Sequence, residues 1–163
     1  MDKTIAAKIE GIFAKRNQIA DAAQREKDAR DLETARFRDD FIAKRDAVYR
    51  PILEGFAEAI VAQGFKVRVL TEQQISAVLR RDGFAMLGVE VSQTGNWHRP
   101  DTPTFGLHCD SAGKSVYFSV NTIGLGHGGT SGASGKFQLE DVTEEVFASE
   151  VLKWMEKVFV GNG

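Results

Sequence analysis

The sequence predicts an α+β protein: a long N-terminal, coiled-coil-like helix, then a mainly antiparallel sheet of about four to five strands with helices packed on one face. Three observations carry that expectation. No proline and only Gly11 interrupt Asp2 to Tyr49. Short runs of alternating apolar residues follow, separated by turn residues. A last amphipathic stretch, Val146 to Phe159, then closes the chain. With 163 residues, 42% of them apolar, one core is expected, divided here into a helical arm, 1–50, and a compact domain, 51–163.

The arm is rich in Ala, Arg and Lys, all strong helix formers. Ile5, Ile9, Ile12, Ile19 and Ala23 recur at alternating spacings of four and three, with Arg16 in the missing place, which is a short coiled-coil seam. Glu26, Arg30 and Glu33 then occupy the seam positions, and apolar residues resume on a shifted phase at Phe37, Phe41, Val48 and Ile52. The helix either folds back near residues 24–31 or stays straight and meets another copy of itself. No Gly, Pro or Asn lies between Asn17 and Pro51 to make a turn. Self-association is therefore expected, as a dimer, through Ile5, Ile9, Ile12 and Ile19.

Pro51 suits the first turn of a new or kinked helix, whose apolar face is Ile52, Leu53, Phe56, Ile60 and Val61. Gly64 ends it, and Phe65 to Leu70 alternates as a strand. Thr71 with Gln74 reads as a capping box opening a short helix through Leu79. Gly83 to Ser92 is apolar on both faces at its start and reads as a central strand. Thr94 to Pro103 is a polar loop carrying Trp97, His98 and Arg99. The clearest pattern is a hairpin, Phe105-Leu107-Cys109 against Val116-Phe118-Val120, turning at Ser111–Lys114. Its register should pair Cys109 with Val116, Leu107 with Phe118 and Phe105 with Val120, leaving His108 opposite Tyr117 on the other face. Gly124 to Gly135 then carries six of the sixteen glycines. Lys136 to Leu139 reads as a short edge strand, and Asp141 with Glu144 as the capping box of a final helix, with Phe147, Val151, Leu152, Met155 and Val158 on its apolar face.

Composition excludes several functions. A formal charge of −2 and pI near 5.9 provide no field for nucleic acid or an anionic membrane. The first fifty residues hold twelve Lys/Arg against ten Asp/Glu, without the basic stripe of a nucleic-acid arm. No long apolar run suggests a transmembrane helix or secretory signal, so a cytoplasmic protein is expected. The single cysteine, Cys109, fits a small buried hydrophobe rather than a nucleophile. His98, His108 and His127 lack metal-ligand spacing, so neither metal nor cofactor is expected. Gly124 to Gly129 matches G-x-G-x-x-G, but no helix N-terminus follows to receive a pyrophosphate.

The leading expectation is a non-enzymatic, self-associating binding or regulatory protein whose α+β body recognises a partner. The alternative is a binder of a small anionic or nucleotide-like ligand, or an enzyme, using the glycine-rich loop 124–135. In either case the ligand-binding residues are expected around Trp97, His98, Arg99, His108, Tyr117, His127 and Lys136, because the loops flanking the hairpin leave from one edge and glycine amides can hold an anion.

Overall fold

A computed structural model describes residues 2–72, 84–97, 102–125 and 128–161. The order is helix α1 (Lys3–Lys44), a π-turn (Arg45–Tyr49), helix α2 (Arg50–Ala62), then strands β1 (Lys66–Glu72), β2 (Ala85–Ser92), β3 (Thr104–Asp110), β4 (Ser115–Asn121) and β5 (Ser131–Ala133), a 3₁₀ turn (Leu139–Asp141) and helix α3 (Glu144–Phe159). The five strands form one antiparallel meander in sequence order. The chain divides into two compact units, Met1–Arg36 and Phe37–Gly163.

Residues 24–31 are helical throughout, so the fold-back does not occur; nothing in that stretch releases a helix built from such strong formers. The π-turn explains the shifted apolar phase. On an uninterrupted helix, Phe41 and Tyr49 would point about 80° apart. The wider turn, with the Arg50 amide donating to the Arg45 carbonyl, absorbs one residue and removes most of that offset. Phe41, Tyr49, Leu53 and Ile60 consequently all enter the core of the second unit. Buried Tyr49 donates its hydroxyl to the Val142 carbonyl at 2.6 Å, and burial pushes its pKa up to about 12.

The core lies on the sheet face formed by Val67, Val69, Leu87, Val89, Val91, Phe105, Leu107, Cys109, Val116 and Phe118. The hairpin register is the expected one, Cys109 with Val116, Leu107 with Phe118, Phe105 with Val120 and His108 with Tyr117. From α3, the Phe147 ring packs edge-on to Phe105 at 5.8 Å, and Trp154 lies 6.0 Å from it.

Four expectations need correction. The fifth strand is Ser131–Ala133, inside the glycine-rich stretch 124–135, and the stretch 136–139 contributes only a bridge from Phe137 to Val116, because Leu139 enters a 3₁₀ turn. The cap of α3 is Thr143, whose hydroxyl accepts from the Val146 amide at 3.2 Å, while Asp141 is spent in the preceding turn. On α3, Trp154 is buried and Leu152 exposed, since the inward positions 147, 151, 154 and 158 repeat at four, three and four. Thr71 belongs to β1, not to a helix cap; the remainder of the expected short helix lies outside the described residues.

Candidate functional site

The sheet's second face carries the hairpin's polar residues. Along β2, β3 and β4 the cross-strand rows are Met86-His108-Tyr117, Gly88-Gly106-Ser119 and Glu90-Thr104-Asn121. His108 stacks on Tyr117, ring centroids 4.9 Å apart and 11° from parallel, and its Nε2 lies 2.6 Å from Ser119 Oγ. A Cβ at residue 106 would stand 2.9 Å from His108 Nε2 and 3.1 Å from Met86 Cε; one at 88 would stand 2.6 Å from that same methyl. The glycines are there because Met86 and His108 lie flat across them. Their own neighbours fill the depression that two glycines would otherwise leave.

Burial lowers the pKa of His108, so the imidazole is neutral near pH 7. A serine hydroxyl against imidazole nitrogen is half of a nucleophilic pair. The other half, an acceptor that orients Nδ1, does not occur among the described residues. The contact fastens β3 to β4. Cys109 is also unsuited to nucleophilic attack, because burial, with the Asp110 charge adding, pushes its thiol up to about 11.

Trp97 packs against the Arg68 guanidinium, 5.1 Å from the ring centre, and Arg68 is in turn paired with Glu90 at 3.1 Å. His108 and Tyr117 stand two rows further along the same face, roughly 13 Å away at strand spacing. Lys136 lies at the opposite end of the hairpin, 2.6 Å from Asp110. That contact, with the Gly113 amide, holds the Asp110 carboxyl below its ordinary range. His108 and Tyr117 thus come together, whereas Trp97 and Lys136 occupy opposite ends of the face. His98, Arg99 and His127 lie outside the described residues.

The β2–β3 connection and the glycine-rich loop do leave from one edge of the sheet, and between them lies a half-open hollow of about 160 Å³. One wall is a turn after β2. The Ser92 hydroxyl accepts from the Gly95 amide at 3.0 Å and the Thr94 amide at 3.3 Å, and Gly95 takes φ +84°, a conformation cheap only for glycine. The other wall is Leu125. Behind it, the Thr122 amide donates to the Thr130 carbonyl and the Thr130 amide to Thr122 Oγ1, both at 2.9 Å. Those bonds close the loop into a neck. Among the described residues, Val91 and Pro103 add to the apolar part of the lining, and Gln93, Thr94, Asn96 and Thr102 supply its polar part.

Sequence reasoning brought both loops to this edge but passed over Ser92, Thr94, Asn96, Thr102 and Leu125. The available signal was Leu125, the one large apolar side chain in the glycine run. Among the described residues, no group of three or more His, Cys, Asp and Glu is placed to hold a metal, and no helix is long and apolar enough to cross a membrane. No family model, curated protein or solved structure matches the chain.

Proposed function

We propose that this chain is a self-associating binding protein of regulatory or adaptor character, in which the N-terminal helix pairs with a second copy and the α+β body recognises the partner. One observation carries the reading. In α1, Ile5, Ile9, Ile12 and Ile19 stand at seam spacing with 51%, 38%, 65% and 63% of their surface exposed, beside a half-exposed Phe13. Full burial of an isoleucine is worth roughly 1.5–3 kcal/mol, and in a pair each seam position counts twice. Acid-first pairs at Asp21/Arg25 and Glu26/Arg30 support the helix beyond the seam without adding apolar surface.

Static light scattering on the intact chain tests the proposal. The wild-type mass should approach twice the 17.9 kDa of one chain, and Ile9→Asp with Ile12→Asp should return it to a monomer with an unchanged near-UV spectrum. A wild-type monomer, or a double variant of unchanged mass, contradicts it.

A further inference from the structure

We infer that α1 pairs with a second copy of itself in antiparallel orientation, centred on Ala14, so that the two chains leave the pair at opposite ends. This rests on the self-association proposed above and adds the direction of pairing, which that proposal leaves open.

The seam reads the same both ways. From Ile5 through Ile9, Ile12, Arg16 and Ile19 to Ala23 the spacings run four, three, four, three, four. Residues 7–33 are all exposed, so nothing within one chain covers it. Reversing one of two heptad helices brings its a positions opposite the other's d positions, which here sets Ile9 against Ile19 of the second copy, Ile5 against its Ala23 and Ile12 against its Arg16. Each layer then has at least one isoleucine.

Arg16 decides the direction. In a parallel, in-register pair the two Arg16 side chains share one a layer, like charge against like charge between the Ile12 and Ile19 layers. Reversal moves them one turn apart along the axis, roughly 6 Å. Each stem can then lie along Ile12 of the other copy while its guanidinium reaches water.

Phe13 is the independent observation. It occupies the e position beside the seam and is 55% exposed. In a parallel pair an e residue lies against a g residue of the other helix, which for Phe13 is Lys8. In the antiparallel pair e meets e, so the two Phe13 rings come together at the centre, each level with Arg16 of the other copy and placed for a cation–π contact. Lys15 meets its own copy on the opposite flank. At so exposed a position that repulsion is weak and screened by salt.

Direction governs what the pair can do. The helix runs unbroken past Arg36, and about a centre at residue 14 the two Arg36 positions stand roughly 66 Å apart along the axis. A parallel pair would hold them side by side. The antiparallel pair is therefore a spacer, suited to bridging two separated partner sites rather than to building one shared site.

Oxidative cross-linking of the intact chain tests the direction, with Ile5→Cys and Ala23→Cys prepared separately, then mixed, and the wild type, whose Cys109 is buried, as the blank. Antiparallel pairing sets residue 5 beside residue 23 of the second copy but keeps the two copies of residue 5 roughly 27 Å apart. The mixed-mass disulfide should therefore exceed either self-linked species at least tenfold. Light scattering on the same samples before oxidation separates the two proposals. Self-linked species in excess, equal yields of all three, or no linkage, each in samples of two-chain mass, overturn the antiparallel seam and leave self-association standing. A one-chain mass overturns both.

Discussion

Residues 3–36 and residues 37–62 are helical alike and carry apolar side chains at similar spacing, yet those side chains meet opposite fates. Phe41, Tyr49 and Leu53 are fully buried, while Ile5, Ile12, Phe13 and Ile19 are exposed over half their surface or more. Periodicity therefore says that a face is apolar, and the presence of a packing partner says whether it is covered. In the second stretch the partners are the sheet and α3 of the same chain. In the first, a second chain supplies the cover under the proposal made above.

The largest effect should come from opposing the two stretches directly. Phe41→Ala is expected to cost about 3–5 kcal/mol, the range for emptying a buried phenylalanine site. Phe13→Ala, measured by denaturant at concentrations low enough for monomers, should cost under ~0.5 kcal/mol, as at other exposed positions. Equal losses would mean that the first stretch is already packed within one chain.

The two faces of the hairpin offer a second contrast. Leu107→Ala should cost about 2–5 kcal/mol, because Leu107 is fully buried beside Phe118 in the core. Tyr117→Ala should cost less, since its ring is half-buried and loses mainly the His108 stack, worth about 0.5–1.5 kcal/mol. Matching losses in thermal unfolding would erase the distinction between a core face and a polar one.

How much of this could be read beforehand depended on what holds each element. The hairpin was legible to the residue, because period-two alternation and a four-residue turn leave one register that buries one face. β5 was not. Its three residues carry no alternating side chains, and it is held by backbone pairing with Ser119–Asn121 of β4 and, just beyond it, by the Ser134 amide on the Phe118 carbonyl and the Phe118 amide on Ser134 Oγ. Trp154 was passed over in favour of Leu152 and Met155, and its indole N–H is paired with the Asn121 carbonyl at 3.1 Å, a contact distant in sequence. The hollow at the sheet edge escaped for another reason. Ser92 and Thr94 read as ordinary turn residues, and their hydroxyls do make turn bonds; only the fold shows that Leu125 faces them.

A smaller effect follows from Tyr49, which ties the second helical stretch to the segment ahead of α3. Tyr49→Phe should cost about 1–3 kcal/mol by leaving the Val142 carbonyl without its donor. Its pKa is raised from 10.0 to about 12, so the folded chain keeps a proton that the unfolded chain releases. Stability should hold below pH 10 and fall between pH 10 and 12, by up to about 1.4 kcal/mol per unit from this group. In Tyr49→Phe that part of the decline should vanish; an identical alkaline profile would mean the phenol is not shielded.

His108 should give the smallest pH effect and the opposite sign. With its folded pKa lowered from 6.5, the unfolded chain binds the proton first, so stability should drop as the solution is acidified through that value. His108→Gln should flatten the drop between neutral and mildly acidic solution. A steeper drop in that variant would assign the titration elsewhere.

The contrast between the two helical stretches is tested most directly by amide hydrogen exchange followed through dilution. If residues 5–23 are covered by a second chain, their protection should be high in concentrated solution, decay on dilution and disappear in the Ile9→Asp, Ile12→Asp variant. Residues 41–62 should keep their protection throughout. Protection across residues 5–23 that ignores both dilution and the two substitutions would contradict self-association through this helix.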